Sequence, residues 1–180
     1  MEGLVNMDKS GSIDKNFWSG KRVFITGHTG FKGGWLALWL NLLGAKVIGF
    51  ALKPNTKPCL YDLARIDNAL IKSYQEDIRN LDLIRDAINY EKPEIVFHLA
   101  AQSLVRESYI NPIDTYSTNV IGTVNLLDSL RTVESVKACI IVSSDKCYEN
   151  KEWLWGYREN DPMGGHDPYS SSKGCVELIT

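Results

Sequence analysis

Two polar clusters in the sequence contain residue types that suit proton transfer. Tyr169 and Lys173 lie four residues apart in YSSSK, a spacing that places a phenol and an ammonium on one face of a helix. A neighbouring ammonium favours tyrosinate, which can take a proton from a hydroxyl group. Ser144, Asp145 and Lys146 follow the apolar run KACIIV and offer a hydroxyl, an acid and a base. A plain polar loop is the alternative interpretation of this second cluster.

A glycine-rich turn lies upstream of both clusters. The segment TGHTGFKGG has the spacing G-x-x-G-x-x-G between the apolar run RVFIT and a helix-forming run. Glycine permits a sharp turn and close backbone approach, and the helix N-terminus offers free N–H groups to a pyrophosphate. The turn therefore predicts a dinucleotide site, with a purely structural glycine turn as the alternative. The expected cofactor contacts here are Gly27, Thr29, Gly30, Phe31, Lys32 and Gly33.

The end of the second predicted strand leaves the choice between NAD and NADP open. An acid there would hold the ribose 2′-hydroxyl of NAD. The segment GFALKPNTKP contains no acid, and Lys53 and Lys57 suit the 2′-phosphate of NADP. Asp77 and Ile78 are expected near the adenine, although an acid at a helix N-terminus has a structural explanation as well. The segment after the fourth strand consists mainly of small residues, and Leu99, Ala100 and Ala101 are expected to lie against the flat rings of the cofactor.

Apolar runs and helical periods alternate along the chain. Strands are predicted at RVFIT, KVIGFAL, LIKSYQED, EIVFHLAA and ACIIVSS. Helices are predicted at GWLALWLNLLG, ending at Gly44, and at PCLYDLARID, LDLIRDAINYE, PIDTYSTNVIGTVNLLDSLRTV and PYSSSKGCVELIT. Nearly continuous apolar strands separated by helices indicate a parallel sheet covered on both faces. The prediction is a doubly wound, Rossmann-like α/β fold with strand order 3-2-1-4-5.

Composition limits the domain count and the partners. The 180 residues, 44% hydrophobic and 23% charged, predict one domain over 17–180 after a disordered leader at 1–16. The net charge of −2 gives no footprint for nucleic acid or an anionic membrane. No run is long enough to span a bilayer and the start is too polar for a signal peptide, so we expect a cytoplasmic protein.

The remaining histidine and cysteine residues are expected to have structural roles. His98, inside the fourth strand, is expected to be a hydrogen-bonded core histidine. The cysteines form no C-x-x-C pair, which favours reduced thiols, and Cys147 is expected to be buried rather than nucleophilic. We expect no metal site.

The glycine turn and the Y-x-x-x-K motif together resemble the extended branch of the short-chain dehydrogenase/reductase superfamily. The signatures T-G-x-x-G-x-x-G and Y-x-x-x-K match at Thr26 to Gly33 and at Tyr169 to Lys173. From about Phe17 to the last residue, longer stretches look like the CDP-glucose 4,6-dehydratase family. The most specific of them is SSDKCYENKEWLWGYRENDPMGGHDPYSSSKGCVELI.

This resemblance implies conversion of CDP-glucose to CDP-4-dehydro-6-deoxyglucose with NAD, in O-antigen deoxysugar biosynthesis. Hydride leaves C4 while Tyr169 removes the hydroxyl proton, water leaves across C5 and C6, and hydride returns to C6. Asp145 is then the acid for the C6 hydroxyl and Lys146 the base for the C5 proton. The dTDP-glucose relatives have glutamate at the position of Lys146, which favours the CDP-glucose branch. Adjacent residues of an extended segment point apart, so a turn after Ser144 must aim both groups at the sugar.

The resemblance also implies contacts on neighbouring elements and a longer protein. Thr118 is expected near the cofactor, and Ser103 and Asn119 near the sugar, with helix hydrogen bonding as the alternative for Asn119. Relatives continue into a nucleotide-binding domain and pair as homodimers through two long helices. We therefore expect this chain alone to be weakly active or inactive. The open alternatives are another NAD-dependent nucleotide-sugar epimerase or dehydratase, and a non-catalytic dinucleotide-binding module.

The segment that leads to the last helix is rich in aromatic residues. Trp153, Trp155 and Tyr157 lie within five residues of each other. Two interpretations remain open from the sequence: the loop fences the active site, or its rings pack a long excursion of the chain.

Overall fold

A computed structural model describes residues 14–180, and its centre is a sheet of five parallel strands. The order is the predicted one, with β1 in the middle between β2 and β4. Val23 pairs with Val47 on one side and with Ile95 on the other, so the carboxyl ends of the strands meet at one edge. The strands span Arg22–Thr26 (β1), Lys46–Phe50 (β2), Lys72–Tyr74 (β3), Ile95–His98 (β4) and Ala138–Ile141 (β5).

Helices cover both faces of the sheet, as predicted for a doubly wound fold. They span Lys15–Trp18 (α1), Phe31–Leu42 (α2), Leu60–Leu63 (α3), Leu81–Glu91 (α4), Val105–Ile110 (α5), Pro112–Tyr116 (α6), Gly122–Leu130 (α7) and Pro168–Ile179 (α8). Short 3₁₀ turns occur at Ile66–Ala69 and Asp145–Cys147, and a π-helical turn at Ser117–Ile121 joins α6 to α7.

The side chains of β1 point alternately to the two faces of the sheet, and the core has one layer on each face. Val23 and Ile25 are buried with Leu40 of α2 on one face of the sheet. Phe24 points the other way and is buried with Ile84 of α4 and Leu126 of α7. Successive side chains of a strand face opposite sides, so these apolar strands require a helical layer on each face.

Several observed elements differ from the predicted ones, and three cases illustrate this. The third strand, predicted over 70–77, pairs only at Lys72–Tyr74, because β2 offers partners no further than Phe50. The segment 58–67 forms α3 and then a 3₁₀ turn, interrupted by Arg65 in the left-handed region at φ 49°. The six-residue helix α5 was not predicted.

The end of α2 and the segment before β1 were also the subject of predictions. Gly44, at φ 88°, follows the C-cap residue Leu43 of α2 and ends the helix as predicted. The expected disordered leader lies outside the described residues except for its last three, where Asp14 accepts a 2.8 Å hydrogen bond from the Asn16 N–H and caps α1. None of the helices between residues 14 and 180 has the length and apolar character needed to cross a bilayer.

Two adjacent glycines of α2 provide a test of its contact with the preceding turn. A Cβ added at Gly33 would lie 2.1 Å from the Gly27 carbonyl oxygen, whereas at Gly34 the nearest atom is a methyl carbon of Leu60 at 3.2 Å. We expect Gly33→Ala to lower the free energy of unfolding by about 2–3 kcal/mol, because the backbone must move. Gly34→Ala should change it by less than about 1 kcal/mol, because a flexible side chain can yield and alanine favours the helix. Urea unfolding of both variants measures the difference, and equal losses would contradict the contact.

Candidate active site at the carboxyl edge of the sheet

The carboxyl ends of β1, β2, β4 and β5 open into one cleft of about 840 Å³. Its wall combines the glycine turn, the loops after β2, β3 and β4, the end of β5 and the first turns of α8. Most of the predicted site residues therefore lie around a single space. They are Gly27, Thr29, Gly30, Phe31, Lys32, Gly33, Asp77, Ile78, Leu99, Ala100, Ala101, Ser103, Thr118, Ser144, Asp145, Tyr169 and Lys173.

At its glycines, the turn after β1 presents backbone to the cleft. Gly27 has φ 79°, and a Cβ there would come within 2.8 Å of the Ala100 nitrogen, so the loop after β4 passes directly against it. Gly30 precedes the first residue of the twelve-residue helix α2 and offers no side-chain cap. The first N–H groups of α2 are thus available to an anion at the positive end of the helix dipole. A bare backbone cradle of this kind fits the pyrophosphate of a dinucleotide.

Asp77, at the end of the cleft away from α8, is already engaged in an ion pair. Its carboxylate accepts from the Arg79 guanidinium at 2.9 Å and from the Arg79 backbone N–H. These bonds with Arg79 hold the Asp77 pKa below its usual range. Arg79 also pairs with Asp114, so Asp77 has a structural role in addition to its place on the wall.

The loop after β2 forms more of the wall than the sequence indicated. Lys53 lines the cleft and Lys57 does not, and no acid is found among its lining residues between β2 and α3. The Thr29 hydroxyl donates to the Leu52 carbonyl at 2.8 Å, which ties this loop to the glycine turn. The lining residues that we did not predict here are Ala51, Leu52, Pro54, Asn55, Thr56, Pro58, Cys59 and Leu60. A proline- and asparagine-containing stretch between two elements was their only sequence signal.

Helix α8 presents the phenol and the ammonium to the cleft, as their spacing predicted. Asp167 caps the helix by accepting from the Ser170 N–H at 2.9 Å. Tyr169 and Lys173 are both nearly buried, and Lys173 Nζ donates to the Val142 carbonyl at the end of β5 at 3.3 Å. Burial lowers the pKa of Lys173, and the positive charge of Lys32 acts in the same direction, while Glu177 opposes it.

A 3₁₀ turn follows Ser144, where the proposed chemistry requires a change of direction. The Ser144 hydroxyl accepts from the Lys146 N–H and donates to the Asp145 carboxylate, both at 3.1 Å. Asp145 lines the cleft. Lys146 is exposed and lies outside the lining residues, so the turn directs only the first of the two groups to the cleft.

Asn119 lies behind the wall rather than on it, which corrects its prediction as a sugar contact. Its amide nitrogen donates to the Gln102 carbonyl at 3.0 Å and to Ser172 Oγ at 2.8 Å, and its oxygen accepts from the Gln102 N–H. With all of these bonds made inside the protein, Asn119 fastens the loop after β4 to the start of α8. Thr118, its neighbour in the π-helical turn, does line the cleft.

The core histidine and the buried cysteine occupy the environments that were predicted. His98 is 3% exposed, and each ring nitrogen lies within hydrogen-bonding distance of a threonine hydroxyl. Burial raises the pKa of the Cys147 thiol, which argues against a nucleophilic thiolate. Between residues 14 and 180, no three His, Cys, Asp or Glu side chains group as a metal site.

The aromatic segment after the 3₁₀ turn packs mainly on itself. Tyr148 and Tyr157 stack with ring centroids 5.2 Å apart, and Trp153 stacks on Trp155 at 5.3 Å. None of these four rings lines the cleft. The contacts therefore favour the packing interpretation over an active-site fence.

A comparison with known protein families identifies the family of this chain. Residues 24–180 match the GDP-mannose 4,6 dehydratase family. The chain belongs to this family. This match agrees with the dehydratase family that the sequence motifs resembled.

Individual relatives match most of the chain. CDP-glucose 4,6-dehydratase of Salmonella typhimurium is 60% identical over 167 residues, which cover 93% of this chain and 46% of that relative. The solved UDP-glucose 4-epimerase of Thermotoga maritima with UDP-glucose has a TM-score of 0.75 at 28% identity, covering 88% of this chain and 49% of its own. A solved NAD-dependent NDP-hexosamine 5,6-dehydratase of tunicamycin biosynthesis has a TM-score of 0.74 at 26% identity, covering 88% and 48%. The chain thus spans about half the length of these relatives.

The buried ammonium of Lys173 predicts a pH-dependent gain of stability on its removal. Because its folded-state pKa lies below the ordinary 10.5, the charged lysine destabilises the fold below that folded-state pKa. We expect Lys173→Met to raise the free energy of unfolding by about 1 kcal/mol near pH 7. The advantage should shrink as pH rises toward 10.5, because the folded wild type loses its proton before the unfolded chain does. Denaturant unfolding from pH 7 to 10 tests this, and a Lys173→Met variant less stable than wild type at pH 7 would contradict it.

Proposed function

We propose that this chain forms the NAD-binding and catalytic part of a nucleotide-sugar 4,6-dehydratase whose substrate is CDP-glucose. The observation that carries the proposal is the cleft itself, where the glycine turn, Asp145, Tyr169 and Lys173 line one space. The choice of CDP-glucose draws on the 60% identity to the Salmonella enzyme of that name. Both arguments point to a hydro-lyase acting on a sugar attached to a nucleotide.

The residues of the glycine turn fit the proposed cofactor. Gly27, Gly30 and the first N–H groups of α2 would hold the pyrophosphate, and Leu99, Ala100 and Ala101 would pass the flat rings. When bound, NAD accepts a hydride from C4 of the sugar and later returns it to C6. The likeness to a solved NAD-dependent NDP-hexosamine 5,6-dehydratase favours NAD over NADP, despite the absence of an acid after β2.

The first step assigns the phenol and ammonium of α8 to sugar oxidation. Tyr169 takes the proton of the C4 hydroxyl as its phenolate, and the Lys173 ammonium stabilises that phenolate. Ser144, which caps the 3₁₀ turn packed against α8, would hydrogen-bond the same hydroxyl. The burial of Lys173 excludes water from this pair and strengthens its electrostatic effect.

The second step assigns Asp145 to elimination of water. Asp145 lines the cleft, and its carboxyl group would protonate the C6 hydroxyl as it leaves. Lys146 is assigned as the base for the C5 proton by the family resemblance, and the C4 ketone acidifies that proton. Because Lys146 lies outside the cleft lining, its side chain must turn inward when the sugar binds.

Two other functions make different use of the same wall. An epimerase, the activity of the Thermotoga neighbour, would need Tyr169 and Lys173 and would leave Asp145 without a chemical role. A non-catalytic dinucleotide module would need only the glycine turn. The dehydratase proposal is the one that uses the acid at the cleft wall as well.

The activity, location and assembly of the whole protein also belong to this proposal. NAD and nucleotide sugars are cytoplasmic metabolites, which supports a cytoplasmic location. We assign a homodimer to the outer faces of α4 and of the helix through α6 and α7, which pack side by side in the fold. These faces carry exposed apolar side chains that a second copy can bury, including Leu83, Tyr90, Ile113, Ile121 and Val124.

The 180-residue chain alone should bind NAD and convert CDP-glucose weakly or not at all. The cofactor wall is present within residues 14–180, whereas relatives of the chain are about twice as long. Isothermal titration with NAD and chromatography of CDP-glucose reactions measure the two properties. Efficient conversion by the isolated chain would contradict this expectation, and failure to bind NAD would contradict the proposed function.

Substitutions at the 3₁₀ turn separate a dehydratase from an epimerase. The chain can be tested as a fusion after Thr180 to the C-terminal half of the Salmonella relative. In that protein we expect Asp145→Asn to lower formation of the 4-dehydro-6-deoxy sugar by about 10²–10⁴-fold. Oxidation at C4 should survive, so reduced nicotinamide should accumulate in a single turnover.

Lys146→Ala tests the base assignment against a matched lysine. Lys151 lies in the same exposed loop, outside the cleft wall, and pairs with Glu149. Lys146→Ala should lose elimination as Asp145→Asn does, whereas Lys151→Ala should retain it. Full activity of Lys146→Ala would remove Lys146 from the mechanism, and full activity of Asp145→Asn would overturn the dehydratase proposal.

A further inference from the structure

A continuous set of buried hydrogen bonds runs beneath the floor of the cleft. Thr26 Oγ1 lies 2.6 Å from His98 Nδ1, and His98 Nε2 lies 2.9 Å from Thr123 Oγ1. Thr123 then donates to the Asn119 carbonyl at 2.6 Å. The three side chains are all buried. We refer to Thr26, His98 and Thr123 as the His98 bridge.

The surrounding donors fix the direction of every bond in the His98 bridge. The backbone N–H groups of Leu99 and Ala100 both donate to Thr26 Oγ1 at 3.1 Å, and the Leu99 N–H is shared with the Thr26 carbonyl. With these donors on its acceptor positions, Thr26 Oγ1 gives its own proton to His98 Nδ1. At the other end, the Thr123 proton goes to Asn119, so Thr123 accepts from His98 Nε2. Both ends require the same form of the ring, with its proton on Nε2.

The environment of the ring keeps it neutral. Burial lowers the pKa of His98 to about 3, and the charge of Lys173 acts in the same direction. A neutral ring has one donor and one acceptor nitrogen, which is what the two threonines require. The His98 bridge therefore holds a single tautomer over the physiological pH range.

The two ends of the bridge adjoin different parts of the cleft wall. Thr26 directly precedes Gly27, and Leu99 and Ala100 line the cleft after β4. Asn119 follows Thr118, which lines the cleft from the π-helical turn. The contact between Gly27 and Ala100 has no spare space, so a shift at any of these points changes the distance between the walls.

We infer that His98 is a positioning residue for the cofactor: as the Nε2–H tautomer it fixes the glycine turn, the loop after β4 and the π-helical turn at one spacing. His98 itself touches neither the cleft nor the reacting atoms. The identity of the ligand, NAD, rests on the proposed function, whereas the bridge and its effect on the loop do not.

Nuclear magnetic resonance of the chain without ligand tests the bridge directly. With ¹⁵N-labelled histidine, we expect His98 at pH 7 to show one tautomer with the proton on Nε2. The amide protons of Leu99 and Ala100 should exchange slowly with solvent. A ring protonated on Nδ1, or a mixture of tautomers, would overturn the inference.

Removal of one hydroxyl tests the effect of the bridge at a distance. Thr123→Val leaves the His98 donor without a partner, and Ser129→Ala is the matched control because Ser129 makes the same buried bond to a carbonyl four residues earlier in α7. We expect Thr123→Val to speed amide exchange at Leu99 and Ala100 and to raise the NAD dissociation constant about tenfold. Ser129→Ala should alter neither, and Thr123→Ser, which keeps the hydroxyl, should restore both.

The two readouts separate this inference from the proposed function. If the wild type fails to bind NAD, the proposed function is wrong while amide exchange still tests the bridge. If Thr123→Val matches Ser129→Ala in exchange and in NAD affinity, the positioning role is wrong. If Thr123→Val does not fold, His98→Gln tests the same point. The glutamine amide nitrogen can still donate to Thr123, but no acceptor replaces Nδ1 beside Thr26. Unchanged amide exchange at Leu99 and Ala100 in this variant would overturn the inference.

Discussion

The contact between Gly27 and the backbone of Leu99 and Ala100 determines the shape of the site. Parallel pairing brings the ends of β1 and β4 side by side, and the absence of a side chain at Gly27 lets the two chains touch. Gly33 then lets α2 begin directly above the same turn. The cleft lies above this crossing, so its floor is made of backbone and its chemical groups come from the surrounding loops.

One group beside that floor, the Lys173 ammonium, opposes the stability of the fold that holds it. Lys173 is buried next to the carbonyl of Val142, where its charge is costly. Asp145 and Ser144 lie on a short 3₁₀ turn whose bonds are mostly local. By contrast, Asn119 and His98 satisfy their polar atoms inside the protein and hold separate loops together. Lys173, in the proposed catalytic set, and His98, the proposed positioning residue, thus differ in whether burial leaves them charged or neutral.

The sequence predicted the sheet order and most of the cleft because both follow from short-range patterns. Glycine spacing, the Y-x-x-x-K spacing and the alternation of elements locate the ends of the strands, and the rules of parallel sheets bring those ends together. Lys146 and Asn119 were placed by resemblance, and their directions depend on a 3₁₀ turn and a π-helical turn that leave no periodic signal. The wall from Leu52 to Leu60 was missed for a related reason, since an irregular loop has no pattern to extrapolate.

The π-helical turn between α6 and α7 restricts changes in the length of this part of the chain. One additional residue within Ser117–Ile121 shifts the angular phase between α6 and α7. Deleting it would restore a regular spiral and rotate all preceding residues by about 100° relative to those that follow. Asp114 would then leave Arg79, and Thr115 would leave Gln102. The segment is therefore expected to tolerate exchange of side chains more readily than any change in its length.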